Sequence, residues 1–137
     1  MVNNPPKILV IKSDTSELNE VELFVNELFD EYKIPVKYFN NVFLCISEAV
    51  VNSIKHGNKN DTRKQVYITA NFVGKVLNIK IKDEGEGFIL KDVKNPVDCS
   101  NIKNETGRGI HIIKTLSDNI KYNKKGNSIH FKITVSE

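Results

Sequence analysis

Glu48 and Asn52 stand four residues apart in an otherwise largely apolar run, Cys45-Ile46-Ser47-Glu48-Ala49-Val50-Val51-Asn52. If that run is helical, the spacing puts a carboxylate and a carboxamide on one face, one turn apart. Such a pair is most often part of a solvated stripe. Here the surrounding apolar residues predict a central helix, on which polar groups must be hydrogen-bonded or face a cavity. Lys55 and His56 continue the polar series towards Gly57. The second stretch is Asp83-Glu84-Gly85-Glu86-Gly87-Phe88. Leu77, Ile79 and Ile81 alternate before it, so Asp83 falls on the same core-facing side, where an unpaired carboxylate is costly. Gly85 and Gly87 permit tight backbone approach and positive φ; the plainer reading is an Asp-initiated turn. The third stretch is Glu105-Thr106-Gly107-Arg108-Gly109-Ile110, opening a short helix. Glycines there bring backbone N–H groups and the positive end of the helix dipole against an anion. Arg108 adds donors suited to phosphate. The phosphate loop that ends in Gly-Lys-Ser/Thr is absent, so this is not that class of nucleotide site.

Several elements must position these groups. A Pro-Pro start leads into a β-rich run over residues 7–13. Leu18, Val21, Val25, Leu28 and Tyr32 then recur at helical spacing, predicting a helix over 16–32 that Asp14, Thr15 or Ser16 can cap. Pro35 sits where a helix start tolerates it. A second helix is predicted over 36–56, with Gly57 as its C-terminal stop. Beyond Gly57 the period becomes two. Val66, Ile68, Ala70 and Phe72 alternate with polar positions, a Val73-Gly74 turn follows, and 76–83 forms the second strand of a hairpin. Residues 84–106 show neither period and exceed what a passive connector needs, so they form a lid, a binding loop or a disordered segment. A short helix over 107–116 and two strands over 119–123 and 129–135, joined at Lys124-Lys125-Gly126, close the chain. The prediction is a single α+β domain over 1–137. It is a two-layer α/β sandwich, a mostly antiparallel mixed sheet with helices on one face.

Composition fits that reading. The chain has 137 residues, 39% hydrophobic and 27% charged, which excludes disordered and fibrous classes. A net charge of +3 is too mild to announce a nucleic-acid binder, and Lys121, Lys124 and Lys125 flank a turn as a solvated surface would. No apolar stretch approaches the roughly 18 residues of a membrane span, and the N-terminus carries no secretory pattern. Cys45 and Cys99 form no CxxC, and three scattered histidines complete no zinc set. Both cysteines read as free thiols in a reducing cytoplasm.

Order and spacing together say more than any one stretch. Glu-x-x-x-Asn with His-Gly, then Asp-x-Gly-x-Gly-Phe after a strand, a long loop, and Gly-Arg-Gly opening a helix resembles the GHKL superfamily. That group comprises gyrase, the heat-shock 90 chaperones, sensor histidine kinases and MutL, which share the Bergerat ATP-binding fold. The run from Ser47 to Gly57 is most similar to the bacterial anti-sigma-factor serine kinases, and the resemblance covers about residues 16–135. It implies that Asn52 coordinates Mg²⁺ between nucleotide phosphates and that Glu48 is the general base. It makes Asp83 the acceptor for the adenine amino group, with Gly85 and Gly87 passing close to the base. Gly107, Arg108 and Gly109, flanked by Thr106 and Ile110, match the glycine box beside the phosphates, and 84–106 is the ATP lid. Where the family often has a threonine supporting the aspartate, this chain has Asn127 and then Ser128, either of which could serve; Asn127 shares strand parity with Ile129. Lys55 stands where sensor histidine kinases place a phosphate-contacting lysine. With His56 it can equally be a cation against a helix C-terminus.

The function implied is an ATP- and Mg²⁺-dependent serine/threonine protein kinase of the anti-sigma type. Its acceptor would be a STAS-type anti-anti-sigma protein, and a sigma factor would compete for the same kinase. The resemblance also implies a homodimer, with neither nucleic acid nor membrane as direct partner. The alternative is a non-catalytic, nucleotide-gated module that sequesters its partner; retention of Glu48 favours the kinase, since binding alone needs only Asn52, Asp83 and the glycines. A detached histidine-kinase domain would need a phosphoacceptor histidine and a dimerising helix, and the chain has no long heptad segment. A gyrase- or MutL-type ATPase would need a further domain.

Overall fold

The structure is a computed structural model that describes residues 5–85, 104–123 and 125–135. Its strands are β1 (Lys7–Lys12), β2 (Gln65–Val73), β3 (Val76–Lys82), β4 (Asp118–Tyr122) and β5 (Ser128–Thr134). They form one sheet in the order β1-β2-β3-β5-β4. All four pairings are antiparallel, so among the described residues the sheet is antiparallel throughout rather than mixed. Alternation fixes the register. Leu9, Ile68, Ile81, Ile129 and Tyr122 lie opposite one another across all five strands. Slipping any strand by one residue would turn its apolar set to water.

Helices cover that apolar face. In α1 (Leu18–Tyr32), Val21, Phe24, Val25, Leu28, Phe29 and Tyr32 are buried at the expected spacing. Asp14 accepts from the Ser16 N–H at 3.0 Å, capping the 3₁₀ turn that leads into it. In α2 (Phe39–Asn52) the buried side is Val42, Cys45, Ile46, Ala49 and Val50. Leu44 is exposed, so this helix is central on one side only. Helix α3 (Asn104–Leu116) buries Ile113. Each fully buried Val, Leu or Ile contributes about 1.5–3 kcal/mol, so the layer contact dominates stability.

Three boundaries differ from expectation, each for a local reason. The helical run after Pro35 includes Gly57 as its last residue rather than ending just before it, as a 3₁₀ turn, α2 and a π-helical turn (Ser53–Gly57). Asn58 N–H bonds the Ser53 carbonyl at 2.7 Å, and the chain turns away through left-handed Lys59 and Asn60. Second, Val73 pairs with Val76, so the hairpin turn is Gly74-Lys75, not Val73-Gly74. Gly74 has φ +63° at the first turn position, which glycine adopts without strain. Third, α3 begins at Asn104, three residues before the predicted start at 107, because its apolar period begins only at Ile110 and its first turn carries no hydrophobic signal. Thr106, Gly107 and Arg108 therefore lie within the helix, Thr106 outside any lid. Most of the predicted lid (86–103), with Gly87 and Cys99, lies outside the described residues.

Candidate functional site

Asp83 follows β3 on the buried side, as the alternation requires, and is 6% exposed. Its main chain is held by β5's approach: the Asp83 N–H donates to the Asn127 carbonyl at 2.9 Å, and Asn127 Nδ2 donates to the Asp83 carbonyl at 3.3 Å. Its carboxylate accepts from the Gly85 N–H at 2.8 Å and from the Ser53 hydroxyl. Burial pushes the Asp83 carboxyl above its ordinary value, against the opposing pull of the Gly85 N–H, Ser53 and the charges of Lys64 and Lys125. Asn127 is thus the partner of the Asp83 backbone, and Ser53 supports the carboxylate. Ser128 gives its N–H to Asn123 Oδ1 at 3.2 Å.

Two glycines form a cradle around this carboxylate. A Cβ on Gly57 would collide with the Asp83 carboxylate, and one on Gly85 would meet the Gly57 carbonyl. The Asp83 carboxylate is held by the Gly85 N–H and Ser53, and the Gly57 carbonyl is backbone, so both positions favour glycine. The last turn of the α2 run, the end of β3 and the residue before β5 therefore meet at one acidic group. That arrangement suits a flat ligand presenting N–H donors.

Asn58 locks the cradle. It is 1% exposed, and Nδ2 donates to Ser13 Oγ at 2.6 Å and to the Gln65 carbonyl at 3.0 Å. Its Oδ1 accepts from the Glu84 N–H at 2.8 Å. One side chain thus ties the ends of α2, β1 and β3 to the start of β2. Glu84 adds a second tie, accepting from the Gln65 N–H at 2.6 Å.

Glu48 and Asn52 are both half-buried on one side of α2, as the four-residue spacing predicts. Gly109 of α3 sits against that side: a Cβ there would stand 3.1 Å from Asn52 Nδ2. The first and third stretches of the sequence, far apart in the chain, are therefore neighbours. Lys55 and His56 lie half-buried in the π turn, where positive charge complements carbonyl ends. The side chains of Thr106, Arg108 and Ile110 lie outside the described residues, although α3 carries all three with Gly107. Cys45, one turn before Glu48, is a buried free thiol, pushed up to about 12 by burial and by the Glu48 charge.

Sequence reasoning missed Ser53, Asn58 and the spatial role of Gly57. A signal existed for Ser53, which occupies the apolar face three and four residues after Val50 and Ala49. Asn58 had none, because its partners come from three separate strands or strand ends.

The histidine kinase-like ATPase domain family matches residues 11–133. The chain belongs to that family. As a GHKL-type ATPase domain it is built to bind nucleotide. It is 38% identical over 112 residues to an anti-sigma F factor of Shouchella clausii, covering 77% of each chain. It is 26% identical over 93 residues to the serine-protein kinase RsbW of Listeria innocua, covering 63% of this chain and 59% of the relative. Among solved structures, the crystal structure of the RsbU and RsbW domains of a Mycobacterium tuberculosis protein superposes with a TM-score of 0.65 at 15% identity. That match covers 96% of this chain and 32% of the longer one, and confirms the GHKL fold. Among the described residues no helix is long and apolar enough to cross a membrane.

Proposed function

We propose that this chain is an anti-sigma regulator that acts as an ATP-dependent serine/threonine kinase, with Mg²⁺ as its metal. The observation that carries the reading is the placement of Asp83 against Gly57, at the end of the helical run that carries Glu48 and brings Asn52 against Gly109. Asp83 would accept from the adenine amino group, and Gly57 and Gly85 would keep side chains clear of it. Asn52 would hold Mg²⁺ through its carboxamide oxygen, and Gly109 is small enough to leave that carboxamide in place. Arg108, with Gly107 and the neighbouring Thr106 and Ile110, would serve the phosphates at the start of α3, and Lys55 and His56 would add positive charge. Bound Mg-ATP supplies the transferable phosphoryl group and the cation that balances its charge. Glu48 would orient the acceptor hydroxyl and take its proton.

The anti-sigma and serine-kinase names of the relatives support an anti-sigma kinase acting on serine; its acceptor would be a serine or threonine of a STAS-type anti-anti-sigma protein, as the resemblance implies. A sigma factor would be the competing partner and a homodimer the working form. Phosphotransfer from γ-labelled ATP to the small STAS proteins of the same genome tests this, with Glu48→Gln as control. Glu48→Gln should keep Mg-ATP binding and lose phosphotransfer by roughly 10²-fold or more. ATP binding without labelling of any acceptor would instead make the chain a nucleotide-gated sequestering module, and a fully active variant would remove Glu48 from the base role.

A further inference from the structure

The sheet face turned away from the helices carries a charge pattern that nucleotide chemistry does not use. One cross-strand row runs Ile8, Thr69, Lys80, His130, Lys121 over all five strands. The next runs Val10, Tyr67, Lys82, Ser128, and the one on the other side Asn71, Asn78, Lys132, Asp118. Lys80 and Lys121 thus flank His130, whose pKa burial and the neighbouring lysines lower, while Lys82 and Lys132 stand on the same face in the adjacent rows. Lys80, Lys82, Lys121 and Lys132 make no ion pair among the described residues. Of the acids near this face, Glu84 accepts from the Gln65 N–H, and Asp118, opposite Lys132, accepts from the Thr134 hydroxyl. A concavity on this face is lined by Lys80, Lys82 and Lys121 together with Asn71, Asn78 and Ser128. The β1–β2 side of the same face leaves Ile8, Val10 and Val73 exposed, at 64%, 44% and 61%.

We propose that this uncovered face docks an acidic, amphipathic segment of a partner protein, whose carboxylates meet Lys80, Lys82, Lys121 and Lys132 while its apolar side chains cover Ile8 and Val10. Charge complementarity selects the occupant. A second copy on a two-fold axis through the lysines would set them against one another. A phosphate backbone would satisfy the lysines and leave the aliphatic side uncovered. A protein segment with alternating acidic and apolar residues serves both. The face lies across the sheet from Asp83 and Asn52, so the docking leaves the nucleotide side free.

The test is an NMR titration of the ¹⁵N-labelled full chain with a synthetic peptide of Glu-Leu-Glu-Ser repeats. Parallel titrations use the same repeats with Lys for Glu, a duplex oligonucleotide, and the chain alone at rising concentration. The acidic peptide should shift amides of β3, β4 and β5, leave α2 unchanged, and weaken with salt. Lys80→Glu with Lys121→Glu should weaken it about tenfold or more, the direction expected for reversed interfacial charges. Unchanged amides of Ile79 and Phe131 certify the fold of that variant; should it fail to fold, Lys82→Glu with Lys132→Glu on the neighbouring rows replaces it. No shift with the acidic peptide, or equal affinity in the variant, overturns the proposal. So does tighter binding of the duplex, which would make this a nucleic-acid face, or shifts that appear with concentration alone, which would make it a contact between copies.

Discussion

Gly109→Ala separates the proposed metal position from the stability of the fold. Gly109 is buried in the interior of α3 and does not have positive φ. Alanine there should gain about 1 kcal/mol from helix propensity. Against that gain, the new Cβ would stand 3.1 Å from Asn52 Nδ2 and 3.5 Å from Oδ1. The obstacle is the tip of a side chain, which can rotate. A displacement of about 30° from its rotamer costs about 0.5–1.5 kcal/mol. The two effects are equal in size and opposite in sign, so unfolding free energy should stay within about 1 kcal/mol of the parent. Metal binding tolerates far less. Mg²⁺ needs near-octahedral ligands at about 2.0–2.1 Å, and disturbing the groups that orient a ligand typically costs about 10–100-fold in affinity. Calorimetric titration of ATP with and without Mg²⁺ should therefore show the Mg²⁺-dependent part of the affinity falling by about that factor, with the Mg²⁺-free part unchanged because Asp83 is untouched. An unchanged Mg²⁺ dependence would remove Asn52 from the metal. A stability loss beyond about 2 kcal/mol would mean that the α2–α3 contact is ordinary tight packing.

Two further outcomes follow from buried titratable groups. The Asp83 carboxyl lies above its ordinary value because burial disfavours the charged form. The native state therefore holds this proton more tightly than the unfolded chain does. Its contribution to stability is present in acid, below the unfolded value, and is lost as pH rises through the folded value. Asp83→Asn keeps an oxygen acceptor for Ser53 and Gly85 and removes the charge. Adenine-nucleotide binding should disappear, while denaturant midpoints should match the parent in acid and equal or exceed it at pH 7. A variant less stable than the parent at pH 7, or one with unchanged ATP affinity, would contradict this account of the carboxylate. Cys45, pushed up to about 12 in the core, should resist iodoacetamide at pH 8 until the protein unfolds. Labelling at a rate near that of a free thiol would show that α2 opens locally.

The parts legible in the sequence were those governed by period. Alternation over Leu77, Ile79 and Ile81 placed Asp83 inside, and the spacing of Glu48 and Asn52 placed both on one side of α2. Where the main chain departs from a regular period, sequence reasoning failed. Gly57 looked like a helix stop because glycine ends many helices, yet its missing side chain serves the Asp83 carboxylate, which belongs to another element. The start of α3 was misplaced because Asn104, Glu105 and Thr106 carry no apolar signal, and helices begin without one when later turns do the packing. Asn127 was expected to compete with Ser128 for the Asp83 carboxylate. In the structure Asn127 bonds the Asp83 backbone instead, because the chain before β5 runs alongside the end of β3 and brings amide to amide.

The costs in this molecule gather at one place. A carboxylate buried to 6% exposure, two glycines favoured by space, a π turn, and left-handed Lys59 and Asn60 all lie within the same junction of helix end and strand end. Each left-handed residue outside glycine costs about 1–2 kcal/mol, and a polar group taken from water costs more unless it is paired. Such features persist only where the surroundings over-determine them. Asn58 supplies that constraint, with both donor hydrogens and its carbonyl oxygen committed to three separate segments. A junction needed only to end a helix could be made from a single terminal glycine. This one holds a buried carboxylate in a fixed position, oriented by the Gly85 N–H and the Ser53 hydroxyl, which is what a ligand with N–H donors requires and what the core does not. Local instability and rigid bracing thus point to the same group, and they argue for Asp83 as the fixed point of the site independently of any resemblance.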